Sequence, residues 1–129
     1  MARLHEIVID SLDPPVLARF WAEVLDGYAV RPYDTEEIQR LAELGYTPDT
    51  DPNVAVDNIA GDGPVLFFQK TDVSNKQRNR IHFDVHTDHL EDEIARLEAL
   101  GAKVRDEHLG YVVMLDLEDN QFCIVGPLR

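Results

Sequence analysis

Two segments of the chain, residues 4–27 and residues 80–104, carry the same pattern of alternation and helical spacing. Each begins with a short run in which apolar and polar residues alternate, and a period of two is typical of a strand with one buried face. In each segment, apolar residues at helical spacing follow, and a glycine then ends the predicted helix. Two similar units of this kind would each leave one sheet face uncovered, so we expect them to bury those faces together.

The strand and helix pattern is clearer in the second segment than in the first. Asp88 is the predicted N-cap of its helix, with Glu91 three residues later as the partner in a capping box. Gly101 is the predicted residue after the helix. The apolar positions of the predicted strand and helix are Ile81, Phe83, Val85, Leu90, Ile94, Leu97 and Leu100. His82, Asp84 and His86 then share the opposite face of the strand.

The first segment repeats this order. A strand is predicted over residues 4–10, and Asp13 can cap a helix that has Pro14 at its first position, where proline is tolerated. The apolar stripe of that helix is Leu17, Phe20, Trp21, Val24 and Leu25. Further strands are predicted at residues 28–33, 54–57, 65–69, 103–106, 111–115 and 121–125, with an inserted helix at 35–44 capped by Thr35 or Asp34 and a linker at 72–79. The order is therefore strand, helix and three strands, written twice.

The composition limits the classes of partner. The chain has 129 residues, enough for one domain, and its formal net charge of −13 repels nucleic acid and anionic lipid surfaces. Cys123 is the single cysteine, and there is no apolar run long enough to span a membrane or to act as a signal peptide. We therefore expect a protein of the reducing cytoplasm. Its expected partners are small molecules or a second copy of the chain.

The doubled order, with RIHFDV, then LEDEIARLEALGAKV, then VVMLDLEDNQFCIV, resembles the vicinal oxygen chelate superfamily, the glyoxalase, bleomycin-resistance and dioxygenase group. The segments ARFWAEVLDGY and LDLEDNQFCIV are similar to its small bacterial glyoxalase-like members. The resemblance covers essentially the whole chain. It implies a single α+β domain over residues 1–129, with two tandem βαβββ modules, about 1–72 and 78–129, forming a curved mixed sheet around a cavity. It also implies a homodimer.

The resemblance also indicates where a divalent metal ion would bind. Members with chemistry take ligands from the first strand of each half, and Glu6 and His82 occupy those positions, each seven residues before the turn residues Asp13 and His89. The closing position, three residues after Asn120, is Cys123, where active members have glutamate. A further ligand from the strand at 65–69 would have to be Gln69 or a backbone group. The turn at 116–120 lacks the relatives' proline and glycine, and Asp119 and Asn120 are expected to supply its left-handed conformation.

Several of these residues have more than one interpretation. His82, Asp84 and His86 could bind a metal or relay protons, but the favoured interpretation is a polar strand face lining a wet cavity, because three residues on one strand cannot all reach one ion. Cys123 could be a nucleophile or a ligand, but the favoured interpretation is a small buried hydrophobe, since no general base beside it is evident in the sequence. Either Phe67 or Phe68 is expected to line the cavity as an aromatic wall.

Three functional hypotheses follow, and the third is that the domain only dimerises or docks to a partner. In the first, the chain is a metal-independent binding protein for a drug or metabolite, with no cofactor. Its predicted ligand-binding residues are Glu6, Phe67, Gln69, His82, Asp84, His86 and Cys123. In the second, it is a lyase, isomerase or dioxygenase that acts on vicinal oxygens with a zinc, nickel, iron or manganese ion held by Glu6 and His82. The sequence leaves open whether the protein is an enzyme.

Overall fold

The computed structural model describes residues 5–72 and 82–127, which form three helices and eight strands. In chain order these are β1 (Glu6–Ser11), α1 (Pro14–Val24), β2 (Tyr28–Val30), α2 (Thr35–Glu43), β3 (Asn53–Asn58), β4 (Val65–Lys70), β5 (Phe83–His86), α3 (Leu90–Ala99), β6 (Lys103–His108), β7 (Tyr111–Leu115) and β8 (Gln121–Val125). None of the three described helices is long and apolar enough to cross a membrane.

The chain divides into two compact units, Met1–Ser74 and Asn75–Arg129. In the first unit the four strands lie in the order β1-β4-β3-β2, and β1 runs parallel to β4 while the other pairs are antiparallel. Helix α1 packs on this sheet. The buried residues of the helix and of the sheet face beneath it are Leu17, Ala18, Phe20, Trp21, Val54, Val56, Leu66 and Phe68.

The second unit repeats the first. Its strands lie in the order β5-β8-β7-β6, with β5 parallel to β8 and the other pairs antiparallel. Helix α3 packs against β6 and β8. The buried residues of this unit include Leu90, Leu97, Val112, Met114, Phe122 and Ile124. The predicted α+β fold with two βαβββ modules is therefore confirmed, with one four-stranded mixed sheet in each module.

The element boundaries agree with the sequence in most places and differ in a few. Strand β2 ends at Val30 rather than at residue 33, because Pro32 has no N–H to continue the ladder. Helix α2 is capped by Asp34, whose carboxylate accepts a hydrogen bond from the backbone N–H of Glu37 at 2.8 Å. The predicted linker at residues 72–79 lies mainly outside the described residues. Residues 80 and 81, the start of the predicted strand that corresponds to β5, also lie outside them.

The predicted capping box of α3 is wrong. The N-cap is His89 rather than Asp88, and its side chain makes no capping hydrogen bond. The turn is formed instead by the Thr87 hydroxyl, which accepts a hydrogen bond from the backbone N–H of His89 at 3.2 Å. The shift by one residue places His89 in the same position as Asp13, which is the N-cap of α1 and also makes no capping hydrogen bond with its side chain. The two modules therefore match residue for residue at the start of their helices.

The turn between β7 and β8 is built on Asp116, which is 1% exposed. Its Oδ1 accepts hydrogen bonds from the backbone N–H groups of Glu118 and Asn120, both at 2.9 Å, and its Oδ2 accepts one from the Asn120 side-chain amide at 2.9 Å. Asp119 has a positive φ of 63°, as expected for a turn without glycine at this point. This network sets where β8 begins, and so it sets the position of Cys123.

Tyr33 and Asp51 form a second, partly buried polar contact, between the segment after β2 and the segment before β3. The Tyr33 hydroxyl donates to the Asp51 carboxylate at 2.7 Å, and Asp51 is 3% exposed. Burial and this hydrogen bond raise the pKa of Tyr33 well above its ordinary value. The neutral form of Tyr33 is therefore favoured by folding.

We expect Asp116→Ala to lower the free energy of unfolding by about 2–4 kcal/mol, because three donors lose their acceptor in a buried turn. Asp116→Asn retains an oxygen for the two backbone N–H groups, so we expect it to cost about half as much. The measurement is chemical denaturation, with Asp62→Ala in the exposed turn between β3 and β4 as the control. Equal costs for the two substitutions would show that the backbone hydrogen bonds to Oδ1 do not set the stability of this turn.

The raised pKa of Tyr33 predicts a specific loss of stability at high pH. Its contribution is complete below the unfolded-state pKa of about 10 and declines as the pH rises from there, because the unfolded chain releases the phenolic proton first. We expect Tyr33→Phe to reduce the pH-dependent loss of unfolding free energy by up to about 1 kcal/mol per pH unit above pH 10, after allowance for partial exposure. Tyr46→Phe, at an exposed tyrosine, is the control. An unchanged slope in Tyr33→Phe would contradict the prediction.

Candidate functional site

Each sheet has one face that its own helix covers and one that points away from that helix, which we call the far face. In the first sheet the central row of the far face is Val8, Phe67 and Ala55, because Phe67 on β4 pairs with Val8 on β1 and with Ala55 on β3. The neighbouring residue Phe68 is 0% exposed and belongs to the helix-covered core. The structure therefore answers the question that the sequence left open, since Phe67 is the phenylalanine on the far face.

In the second sheet the corresponding row is Asp84, Cys123 and Val113. Cys123 on β8 pairs with Asp84 on the parallel strand β5 and with Val113 on the antiparallel strand β7. By topology and register Cys123 holds the place that Phe67 holds in the first sheet. The same scaffold thus carries an apolar row in one module and a row with a thiol and a carboxylate in the other.

His82 joins this row to form a compact cluster. It stands two residues before Asp84, just outside β5, and its Nε2 is 3.3 Å from Asp84 Oδ1. One nitrogen of His82, one carboxylate oxygen of Asp84 and the sulfur of Cys123 all lie within 4.8 Å of one another. The side chains of His82 and Asp84 are 36% and 56% exposed, and Cys123 is half-buried. His86, further along β5, is exposed and is not part of the cluster.

Glu6 lies at the start of β1 in the first unit, on the far face, in register with Val65. A salt bridge lies close to it. Arg31 donates from Nε and Nη2 to the two carboxylate oxygens of Asp57, both at 2.8 Å. The pKa of Arg31 is raised, mainly by the hydrogen bond to Asp57, and the charge of Glu6 adds to this effect. The same hydrogen bond holds the pKa of Asp57 below its ordinary value.

The Arg31–Asp57 pair was not predicted from the sequence. Arg31 follows the short strand β2, and its backbone N–H donates to the carbonyl of Ala55 at 2.9 Å, which continues the strand pairing by one residue. This places Arg31 across from β3 and within reach of Asp57. The sequence signal was weak, because a basic and an acidic residue 26 positions apart become neighbours only when the antiparallel register is known.

The residues of the second-module cluster suit a zinc-type ion. Zinc holds nitrogen, oxygen and sulfur ligands at about 2.0–2.3 Å in tetrahedral sites. Three donor atoms within 4.8 Å of one another could reach one ion after small side-chain rotations. A thiolate favours zinc over hard cations such as manganese and magnesium. The predicted pair of Glu6 and His82 has one residue in each unit, and it stays a prediction, as does the role of Gln69, an exposed residue of β4.

Comparison with known proteins identifies what the chain is similar to. The family model of the glyoxalase-like domain matches residues 6–125. The search of the curated proteins gave no match. Among solved structures, the chain is similar to a glyoxalase/bleomycin resistance protein/dioxygenase family enzyme from Burkholderia phytofirmans, with 17% identity, coverage of 98% of this chain and 100% of that chain, and a TM-score of 0.67.

Two further structures extend the comparison. The fosfomycin resistance protein FosX from Listeria monocytogenes, complexed with Mn(II), has 15% identity and a TM-score of 0.63, with coverage of 99% of this chain and 92% of that chain. The glyoxalase family protein from Bacillus cereus has 13% identity and a TM-score of 0.62, with coverage of 100% and 96%. Identities this low support a shared fold.

The salt bridge on the first far face predicts a measurable change in the Asp57 carboxyl. We expect Arg31→Gln to raise the pKa of Asp57 toward its ordinary value, because the bidentate hydrogen bond and the positive charge are both removed. The measurement is an NMR titration of the side-chain carboxyl carbons. Arg40→Gln, which removes a second bidentate arginine pair, with Glu37, is the matched control and should leave Asp57 unchanged. A titration of Asp57 that is the same in Arg31→Gln and the native chain would argue against this pair in solution.

Proposed function

We propose that this chain, which belongs to the glyoxalase-like domain family of the vicinal oxygen chelate superfamily, binds a small molecule without the help of a metal ion. One observation carries the proposal. The central far-face positions of the two last strands, Phe67 in β4 and Cys123 in β8, are equivalent by register, and neither is a carboxylate. The family resemblance implies a glutamate at the second of these positions in members that use a metal.

The chemistry of the far faces suggests the kind of ligand. Val8, Phe67 and Ala55 form an apolar strip on the first sheet, and an aromatic side chain in such a strip suits a flat or partly aromatic molecule. Each unit has hydrogen-bonding groups on its own far face, at Glu6 and Gln69 in the first unit and at His82, Asp84 and His86 in the second. The net charge of −13 disfavours a strongly anionic ligand. We therefore propose a neutral or cationic drug or secondary metabolite as the ligand class.

The position of Glu6 is a second reason to favour the metal-independent proposal. Its charge acts on Arg31, whose guanidinium already forms a bidentate pair with Asp57. A positive charge near a carboxylate disfavours the binding of a second cation there, because like charges repel. This effect favours Glu6 as a hydrogen-bond acceptor for a ligand over Glu6 as a metal ligand.

A metal-dependent lyase, isomerase or dioxygenase is the second candidate, and the cluster of His82, Asp84 and Cys123 is the observation that favours it. These three side chains would hold the ion through nitrogen, oxygen and sulfur. A bound zinc ion would act as a Lewis acid on a carbonyl or hydroxyl oxygen of the substrate. Their donor set fits zinc better than the Mn(II) of the FosX complex.

Metal analysis and ligand binding together test the proposal. We expect protein purified from media supplemented with zinc, nickel, iron and manganese to carry no stoichiometric metal, and ligands found by thermal-shift screening to bind equally well with and without EDTA. Phe67→Ala should weaken the affinity for such a ligand about tenfold or more, because it removes the aromatic wall. Ile59→Ala, at a residue that is 73% exposed in the turn after β3, is the matched control.

A tightly bound metal ion is the result that would contradict the proposal. Tightly bound metal at one ion per chain, whose removal abolishes ligand binding, would overturn the metal-independent proposal in favour of the second candidate. In that case His82→Ala should also abolish the increase in melting temperature that the added ion produces.

A further inference from the structure

The cluster of His82, Asp84 and Cys123 combines the three kinds of group that activate a cysteine nucleophile. A thiol lies beside an imidazole, and the imidazole lies 3.3 Å from a carboxylate. This is the general order of nucleophile, base and orienting group. We propose that Cys123 is a reactive nucleophile, activated by His82 and positioned through Asp84, that forms covalent adducts with small α,β-unsaturated carbonyl compounds.

Backbone pairing holds two of the three cluster residues in place. Asp84 and Cys123 are directly opposed on the parallel strands β5 and β8. Strand β8 is an interior strand, since β7 pairs with it on the other side. The nucleophile and the orienting carboxylate therefore stand on regular strands whose separation the hydrogen-bond ladder fixes, and sites on such elements are held more closely than sites on loops.

The cluster is also accessible to a small reagent. The side chains of His82 and Asp84 are 36% and 56% exposed. Cys123 is half-buried between Asp84 and Val113, and Val113 is 8% exposed. An apolar neighbour on one side and polar groups on the other suit a small molecule with a carbon chain and a carbonyl group.

The reaction balances with the groups that are present. His82 takes the proton from the Cys123 thiol, and the thiolate attacks the β-carbon of the acceptor. A bond forms between Sγ and that carbon, while the electron pair of the carbon–carbon double bond moves toward the carbonyl to give an enolate. The proton held by His82 is then delivered to the α-carbon. Nothing is oxidised or reduced, there is no leaving group, and every atom of the acceptor stays in the adduct.

A soft thiolate reacts well with this class of carbon electrophile, and hydrogen-bond donors stand on the same face. Gln121 lies two residues before Cys123 on β8, and its side-chain oxygen accepts a hydrogen bond from Arg105 at 2.6 Å. The amide N–H groups of Gln121 and the remaining donors of Arg105 are of the kind that stabilise a developing enolate oxygen. The cluster thus offers a nucleophile and a base, and its neighbours offer donors to an anion.

The proposal rests on the proposed function in one respect, since Cys123 must not be occupied by a metal ion. The experiment therefore uses the full chain after treatment with EDTA, with N-ethylmaleimide and acrylamide as probes. Cys123 is the single cysteine, so intact-mass spectrometry reports its adduct directly. The measured quantity is the second-order rate constant of adduct formation as a function of pH.

We expect the native chain to react at neutral pH at least about tenfold faster than His82→Ala, a modest share of what a positioned general base supplies. The two rates should converge at high pH, where the thiol ionises without a base. Asp84→Asn should give an intermediate rate, and Cys123→Ser should give no adduct. His108→Ala, at an exposed histidine of β6 outside the cluster, is the control and should react like the native chain.

Two results would overturn the proposal. One is a rate and pH profile for His82→Ala, and for the more conservative His82→Gln, that equal those of the native chain after EDTA treatment. The other is a native rate at neutral pH no higher than that of the same chain unfolded in guanidinium chloride. Failure of the proposed function and failure of this proposal are distinguishable. Protein that contains zinc and reacts only after EDTA treatment would overturn the metal-independent function. The difference in rate between the native chain and His82→Ala after EDTA treatment would still decide whether His82 activates Cys123.

Discussion

The parallel pairing of the first and last strands in each module is the interaction on which the rest of the structure depends. β1 pairs with β4 and β5 pairs with β8, whereas the strands between them follow one another as antiparallel neighbours. A parallel pair needs a long connection, and here that connection contains two further strands, with two helices in the first module and one in the second. The result is that residues about 40 positions apart in the sequence, such as Asp84 and Cys123, become direct neighbours. Without this pairing Cys123 would lie far from the histidine-rich strand, and the cluster of His82, Asp84 and Cys123 would not form.

The two modules show how one scaffold can carry different chemistry. Their sheets have the same strand order, and their helices start at equivalent N-caps, Asp13 and His89. The central far-face rows nevertheless differ, since Val8 and Phe67 in the first correspond to Asp84 and Cys123 in the second. Core positions are constrained by packing against the helix, whereas far-face positions are not, so they can differ between modules without loss of the fold. Function is therefore to be sought in the differences between the repeats.

The sequence was sufficient for the fold and insufficient for the geometry of the site. Strong periodicity located the helices and most strands, and β7 and β8 begin and end where the sequence predicted. The start of α3 was missed by one residue, because Thr87 forms the turn that Asp88 was expected to form. Cross-strand neighbours could not be read at all, since they depend on register, and a shift of one residue exchanges the two faces of a strand. For that reason the sequence favoured a buried, inert Cys123 and showed no base beside it, whereas the structure places His82 within 4.8 Å.

A nitrogen, an oxygen and a sulfur atom within 4.8 Å of one another can serve either a metal ion or a nucleophile, and the physical difference lies in where the thiol proton goes. A bound zinc ion would replace the thiol proton and share the thiolate electrons, which lowers the reactivity of the sulfur toward carbon. Without the ion, the proton passes to the imidazole and the sulfur keeps its electron pair for attack. The cluster offers three protein ligands, and Asp84 is 56% exposed, so water competes strongly for its carboxylate and weakens ion binding. Attack by the thiolate requires only that His82 take one proton from a sulfur that lies within 4.8 Å of one of its ring nitrogens, and this smaller demand is the reason to favour the nucleophile.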